Sequence, residues 1–268
     1  MTQEFPEEPV IWTPSRELAE SSEMARYMRW LDAERGLSFP DYDALWEWST
    51  TDLEGFWTSL IEFWDLPFAT RETRVIDRKI MPGARWFEGA TLNWADQVWR
   101  HVETNGRDAP ALRFRSERGE GEISWGEVAD RAASLAETLR GWGVRPGDRV
   151  CAILPNGPES VIACLAAVSI GAIWSLCSPD MGAIAILGRF AQITPKALIA
   201  ADGYAHGGRE TPRLDLAKEV AAGLPGLERR ILVPILAAPR PDGWEDWAAV
   251  TTGHAGPPRT ETLPFDHP

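Results

Sequence analysis

The residues best placed for chemistry follow three predicted strands in the middle of the chain. Residues 155–157, 178–180 and 202–209 each come directly after a short apolar run, and the last of these loops carries His206 and Arg209. In open parallel sheets, ligands bind beyond the carboxyl ends of the strands. We therefore expect these three loops to form a ligand-binding site.

Motifs for other common chemistries are absent from the sequence. It contains no G-x-x-x-x-G-K-[ST], G-x-G-x-x-G, G-x-S-x-G or H-E-x-x-H pattern, and its four histidines are scattered. Cys151, Cys164 and Cys177 lack metal-type spacing and fall on consecutive predicted core elements. We expect them to be buried structural thiols of a reducing cytoplasm. The sequence thus indicates no catalytic residue and no metal site.

The elements that carry the three loops lie between residues 148 and 201. Apolar runs at 150–154, 172–176 and 198–201 predict strands with little alternation. A helix is expected between the first two strands, from Pro158 to Gly171, because proline suits a first helical turn and glycine a C-terminus. Strands separated by helices predict a parallel sheet covered on both faces.

A second core helix is expected between the second and third strands. Ser178, Pro179 and Asp180 fit its start, with the serine as N-cap, the proline in the first turn and the acid facing the helix dipole. Its end is expected near Thr194, because Pro195 cannot continue a helix.

The first 90 residues are expected to form a helical, tryptophan-rich region, since nine of the 14 tryptophans lie before residue 100. These rings could stack on sugars or bases, or they could form a helical layer packed on the main domain. Their even helical spacing favours packing. We expect an extended lead at 1–14, helices at 16–35, 41–48 and 52–64, and irregular chain at 65–90.

The remainder divides into an α/β subdomain at 91–236, built on the 148–201 core, and an irregular tail at 237–268. The tail ends without a closing element, so the chain looks cut rather than finished. Outside the core we expect helices at 94–103, 126–142 and 214–224, strands at 111–115, 123–125 and 229–236, a polar turn at 117–122 and a glycine-rich loop at 202–212.

Composition argues against several classes of protein. A net charge of −13 disfavours general nucleic-acid binding. The N-terminal MTQEFPEEPVIW lacks the basic and apolar regions of a signal peptide, and no apolar run is long enough to span a membrane. We expect a cytoplasmic protein that acts on small molecules, without nucleic-acid or membrane partners. The residues alone indicate an α/β ligand-binding domain and no more specific activity.

Several stretches nevertheless have a distinctive sequence. They are ISWGEV, GDRV, LAAVSIGAIW, DYDALWEWSTTDLEGFWTSLIEFWDL, WFEGATLNWADQVWRH, GAIWSLCSPDMG, GRFAQITPKALIAADGY and LPFDHP. Together they resemble the adenylate-forming superfamily of acyl-CoA synthetases, and within it the branch that activates acetoacetate. The resemblance covers essentially the whole chain. It implies part of the N-terminal domain of the adenylate-forming fold, an α/β parallel sheet flanked by helices with an N-terminal tryptophan-rich helical layer.

The resemblance also implies a reaction. Acetoacetate, ATP and Mg²⁺ would give acetoacetyl-AMP and pyrophosphate, and CoA would then displace AMP. The superfamily's phosphate loop begins shortly after a segment like LPFDHP, at which this sequence stops. We therefore expect an N-terminal fragment that is inactive alone. The alternative is a complete, non-catalytic α/β module that binds a nucleotide or a partner.

One ligand contact is implied within these residues. In related acetyl-CoA synthetases, the segments that match Ser178–Pro179–Asp180 and the loop from His206 to Arg209 hold the nucleotide end of CoA. His206 stands where the relatives have a second arginine, and a neutral imidazole is a weaker phosphate partner. Asp180 at a helix N-terminus would repel phosphate, which leaves adenine there. The competing interpretation is that Ser178 and Asp180 only cap a helix and that Arg209 is a solvated charge.

Overall fold

The computed structural model describes residues 10–268, which form two compact units. The helical unit is the chain up to Leu66 with Arg74–Trp86, and the sheet unit is Pro67–Thr73 with Phe87–Pro268. The helices are α1 (Arg16–Ser21), α2 (Glu23–Arg35), α3 (Tyr42–Thr51), α4 (Leu53–Phe63), α5 (Asp96–Thr104), α6 (Trp125–Gly141), α7 (Pro158–Ser169), α8 (Ala183–Phe190), α9 (Leu214–Gly223) and α10 (Trp247–Val250). The strands are β1 (Phe68–Thr70), β2 (Arg74–Ile76), β3 (Trp86–Glu88), β4 (Thr91–Leu92), β5 (Pro110–Ser116), β6 (Gly119–Ser124), β7 (Arg149–Ile153), β8 (Ile173–Cys177), β9 (Ala197–Ala201), β10 (Gly203–His206), β11 (Arg209–Pro212), β12 (Arg229–Val233), β13 (Glu245–Asp246) and β14 (Leu263–Pro264).

The helical unit begins with a break that the sequence analysis did not anticipate. The single helix expected at 16–35 is two helices, because Ser22 adopts an extended backbone and caps α2. Its hydroxyl accepts a hydrogen bond from the Ala25 N–H and donates one to the Ala19 carbonyl. Ser22 thereby ends one helix and starts the next. The predicted end at Gly36 is confirmed, since this residue has a left-handed backbone with φ of +65°.

Aromatic and aliphatic side chains form the core of the helical unit. Tyr27, Leu31 and Leu45 are buried, and the Tyr27 hydroxyl shares a hydrogen bond with the Ser59 hydroxyl. Burial raises the pKa of Tyr27. The Phe63 ring lies 5.0 Å from the Tyr27 ring, measured between centroids. The helices of this unit therefore pack on one another through aromatic and aliphatic side chains.

The sheet unit contains the predicted parallel sheet, with strand order β13-β12-β9-β7-β8. Its inner strands β7 and β9 are buried on both faces. Val150 and Ala152 of β7 face a core with α6 and α7, whereas Cys151 and Ile153 face a second core with α8 and α9. Because successive strand residues point to opposite faces, an uninterrupted apolar run suits a sheet between two helical layers.

Four further expectations about secondary structure, all outside the parallel core, were wrong. The 65–90 stretch contains short strands, and 202–212 is a β-hairpin rather than a loop. The supposed turn at 117–122 mostly belongs to β6, which pairs with β5 from Gly119 onward. The tail also holds β13, α10 and β14. Each missed element is short or polar, so its stability comes from pairing and not from its own apolar pattern.

Asn93 connects the two ends of the sheet unit. Its buried side-chain amide donates to the carbonyls of Val168, Ser169 and Glu261 at 3.2, 3.1 and 2.9 Å. Strand β4 beside it pairs with β1 and with β14, near the end of the chain. The β1-β4-β14 sheet thus joins segments that are far apart in sequence.

The three thiols lie where the sequence analysis placed them. Cys151 and Cys177 are buried, Cys164 is half-buried, and all three are free. Burial raises the pKa of each thiol, as expected for structural cysteines. Within residues 10–268, no helix is long and apolar enough to cross a bilayer.

Candidate functional site

The three predicted loops lie at the carboxyl ends of neighbouring parallel strands, β8, β7 and β9. Asp202, directly after β9, has a structural role at this edge. Its carboxylate is buried and accepts hydrogen bonds from the Leu236 N–H at 2.8 Å and the Ala238 N–H at 2.7 Å. Asp202 therefore fixes the chain after β12 against the start of the β10–β11 hairpin.

Residues 178–180 form a turn, not a helix start. The Met181 N–H donates to the Ser178 carbonyl at 3.3 Å, and the N-cap of α8 is Gly182. The expectation that Ser178 caps this helix is therefore wrong. The expected end near Thr194 is also wrong, because the helix stops at Phe190. Thr194 takes a positive φ of 45° before Pro195, a backbone that a helix cannot include.

Because residues 178–180 form a turn, Asp180 is not positioned at the N-terminus of α8. This exposed carboxylate lies before α8 and not in its first turn. A hydrogen bond from the Ser178 side chain lowers the pKa of Asp180, and the charges of Arg213 and His206 lower it further. Asp180 is thus a carboxylate within electrostatic reach of the β10–β11 hairpin.

His206 and Arg209 are paired residues at the tip of that hairpin. Gly207 and Gly208 form the two-residue turn, with φ of +62° and +72°. Positive φ at both positions is the requirement of the tightest hairpin turn, and glycine meets it without strain. Directly opposed residues point to the same face of a hairpin, so both exposed basic side chains lie on one side.

Arg213 is a basic residue beside the candidate site that the sequence analysis missed. Its guanidinium carbon lies 5.6 Å from the centre of the Tyr204 ring, and its Nη2 donates to the Tyr204 hydroxyl at 3.5 Å. Its Nε is buried and has no hydrogen-bond partner. Reading 202–212 as a hairpin would have placed this arginine beside the base of β10.

The tip of the β5–β6 hairpin contacts the same turn and was also missed. The Glu117 carboxylate accepts hydrogen bonds from the Gly207 N–H at 2.7 Å and from the Gly208 N–H at 2.8 Å. These bonds, with that of Gly208 the larger cause, lower the pKa of Glu117. Arg118 forms an ion pair with Glu210 of β11. The two hairpins are therefore joined at their tips.

A cavity of about 600 Å³ lies between the two hairpins and the β7–α7 loop. Phe114 and Ile235 line its apolar part, and Arg115, Glu159 and Tyr204 contribute polar groups. Its volume suits a small organic ligand. In the part of the chain that the structure describes, no group of three or more His, Cys, Asp or Glu side chains could hold a metal ion.

Comparison with known proteins assigns the chain to a family. The sequence model of the AMP-binding enzyme family matches residues 98–265, over half of the chain. The chain belongs to the AMP-binding enzyme family. A second model, the acetyl-coenzyme A synthetase N-terminus, matches residues 42–98. The adenylate-forming resemblance seen in the sequence is thus confirmed, and the helical unit carries an independent match.

Two relatives of this AMP-binding chain carry the same enzyme name. An acetoacetyl-coenzyme A synthetase from Rhizobium meliloti is 38% identical over 266 residues, which cover 96% of this chain and 40% of the relative. An acetoacetyl-CoA synthetase from Macaca fascicularis is 33% identical, covering 97% of this chain and 40% of the relative.

A solved structure confirms the fold. The acetoacetyl-CoA synthetase from Streptomyces lividans superimposes with a TM-score of 0.92 at 40% identity, covering 96% of this chain and 40% of that chain. The predicted α/β parallel sheet of the adenylate-forming fold is therefore confirmed. The chain spans about 40% of the length of the relatives that it matches.

Proposed function

We propose that this chain is the N-terminal portion of an acetoacetate–CoA ligase. The observation that supports this most is the similarity to acetoacetyl-CoA synthetases along nearly the whole chain, at 38% and 33% identity. The whole enzyme would convert acetoacetate, ATP and CoA to acetoacetyl-CoA, AMP and pyrophosphate. The alternative of a complete, non-catalytic binding module is not favoured, because these two relatives are both named acetoacetyl-CoA synthetases and the chain spans 40% of each.

The proposed reaction has two displacements. A carboxylate oxygen of acetoacetate attacks the α-phosphorus of ATP and releases pyrophosphate, and the CoA sulfur then attacks the acyl carbon and releases AMP. Both steps need aligned reactants and neutralised phosphate charge. When bound, Mg²⁺ would supply part of that neutralisation, but the residues described here offer no ligand cluster for it. We assign no catalytic residue to this chain.

The role we assign to this chain is to hold the nucleotide end of CoA. Arg209 and His206 lie on one face of the β10–β11 tip, and Arg213 lies nearby with an unpaired Nε. The charges of Arg213 and His206 lower the pKa of Asp180 in the turn formed by Ser178, Pro179 and Asp180. The basic side chains suit the CoA phosphates, whereas the carboxylate of Asp180 would repel them, so adenine is the better occupant beside the turn. We place the enzyme in lipid and fatty-acid metabolism, because its product is an activated acyl thioester, and in the cytoplasm, because its three free thiols suit a reducing compartment.

The test uses the whole protein in an assay of pyrophosphate release and thioester formation. We expect turnover of acetoacetate in preference to acetate, and no ATP–pyrophosphate exchange by the 268-residue chain alone. Preference for acetate would overturn the substrate assignment. Exchange by the isolated chain would overturn the view that it lacks the reactive groups.

The CoA contact has its own test. Arg209→Ala should raise the KM for CoA about tenfold or more and leave the KM for ATP unchanged, because a charged hydrogen bond contributes about 1.5–3 kcal/mol. Arg113→Ala is the matched control, since Arg113 is an exposed strand arginine in an ion pair with Glu122. An unchanged KM for CoA in Arg209→Ala would remove this site from the proposal.

A further inference from the structure

The turn between β10 and β11 already binds an anion, which is the side chain of Glu117. Both of its donors are backbone N–H groups, at 2.7 Å from Gly207 and 2.8 Å from Gly208. The positive φ angles of these glycines let consecutive N–H groups point at one carboxylate, with one N–H group on each oxygen. Such a concavity, or nest, is a recurring protein site for anions.

The side chains around this nest favour a ligand with more negative charge than a carboxylate. His206 and Arg209 flank the two glycines as opposed residues of the hairpin. A phosphate has three acceptor oxygens and up to two charges, so it could take the two N–H groups and a basic side chain together. Glu117 has only one charge and uses the backbone donors alone.

We propose that Glu117 occupies a phosphate-binding nest at Gly207–Gly208, and that a phosphate of the ligand competes with this carboxylate for the same two N–H groups. The nature of the ligand, the nucleotide end of CoA, rests on the proposed function. Competition is required because the same donors cannot serve both anions, and because two anions at one nest repel each other.

The contacts that hold the two hairpin tips together are weak enough to open. Besides the Glu117 bonds, the ion pair between Arg118 and Glu210 joins the tips, and its side chains are 42% and 60% exposed. Exposed ion pairs contribute little, since water screens them. Displacing Glu117 therefore breaks two solvent-accessible hydrogen bonds and leaves the β5–β6 and β10–β11 ladders intact.

The charged groups facing Glu117 set its pH behaviour. His206 is near enough to affect its pKa, Asp180 interacts with the same histidine, and Arg118 and Glu210 pair beside the nest. The two glycine N–H groups stabilise the charged form of Glu117. The nest is thus occupied at neutral pH and is released as the pH falls through the lowered pKa.

Occupancy is tested without any ligand by NMR of the backbone amides. The Gly207 and Gly208 signals should move together as the pH falls, with a midpoint below the ordinary glutamate value of 4.5. Glu117→Gln should remove this transition, and Glu120→Gln should retain it. Glu120 is the matched control because it lies on the same hairpin in an exposed pair with Arg115. If the Gly207 and Gly208 amide signals of the wild type do not change with pH, the proposal that Glu117 occupies the nest is refuted.

Competition is tested by calorimetric titration with adenosine 3′,5′-bisphosphate, the nucleotide end of CoA. Glu117→Gln should bind it about three- to tenfold more tightly than the wild type, because a like charge is removed and two donors are freed. Glu120→Gln should stay within about twofold, since it removes an equal charge from an exposed pair. Equal or weaker binding by Glu117→Gln would overturn the competition.

A third probe separates failure of the nest from failure of the proposed function. Inorganic phosphate should shift the Gly207 and Gly208 amide signals in Glu117→Gln. If it does so while no variant binds the bisphosphate or CoA, the nest is supported and the CoA assignment is refuted. If CoA binds wild type and Glu117→Gln equally without moving those signals, the nest is refuted and the CoA assignment is supported.

Discussion

Replacing Asp202 should destabilise the carboxyl edge of the sheet. Its carboxylate accepts two backbone hydrogen bonds, from Leu236 and Ala238. A hydrogen bond to a charged group contributes about 1.5–3 kcal/mol, and water partly compensates these two because both amides are only partly buried. We therefore expect Asp202→Ala to lower the free energy of unfolding of the sheet unit by about 2–4 kcal/mol.

Urea unfolding measures this change directly. For a unit of this size a slope of about 2–3 kcal/mol per M is typical, so the midpoint should fall by about 1 M. Asp202→Asn keeps one acceptor oxygen and should lie between the alanine variant and the wild type. Asp215→Ala is the control, because that carboxylate is 99% exposed, and its midpoint should not change. Equal midpoints for Asp202→Ala and Asp215→Ala would refute the structural role of Asp202.

Two further predictions concern stability. Burial of Asp148 opposes its charge, but its hydrogen bond from Lys196 at 2.8 Å and that from the Arg145 N–H leave its pKa lowered. The stabilisation that the Asp148 carboxylate gives the folded state is therefore present above its unfolded pKa of 3.8, and it is lost as the pH falls through the lower folded pKa. The free energy of unfolding, measured from neutral to acid pH, should therefore decrease less steeply in Asp148→Asn than in the wild type. A methyl group on Gly203 would lie 2.6 Å from the Thr211 carbonyl, whereas Gly188 on α8 has nothing within 4 Å. Thermal unfolding should show Gly203→Ala destabilised by about 2 kcal/mol or more and Gly188→Ala stabilised by about 0.5–1 kcal/mol, and the opposite order would contradict this geometry.

The parallel core was predictable because its signals are local. Residues 150–154 and 198–201 are apolar without alternation, which indicates strands covered on both faces, and the structure places them side by side in the sheet. Pro158 likewise indicated the start of α7 correctly. In each case one short stretch contains the physical cause of its own conformation.

The errors came from patterns that fit two conformations. Ser178, Pro179 and Asp180 suit a helix start and equally suit a turn, and the fold selects the turn. Ser22 interrupts a helical apolar period that continues on both sides of it, so periodicity alone could not reveal the break. Local preference does not decide such positions.

The candidate site was predictable only in part, for a related reason. Its three loops follow from the topology of parallel strands, and His206 and Arg209 came from the resemblance. Glu117 lies 90 residues before its partner Gly207, and no local pattern indicates that contact. Arg213 was missed because the polar strands before it carry no apolar alternation.

The long-range contacts of Asn93 and β4 affect the order in which the chain folds during its synthesis. It binds the carbonyl of Glu261, which lies 168 positions later, and strand β4 beside it pairs with β14. On a ribosome the early strands emerge long before their last partner exists. Closing so long a loop is slow, so this sheet should form late, after the parallel core. Until β14 emerges, the nascent chain leaves that side of β4 without its hydrogen-bonding partner.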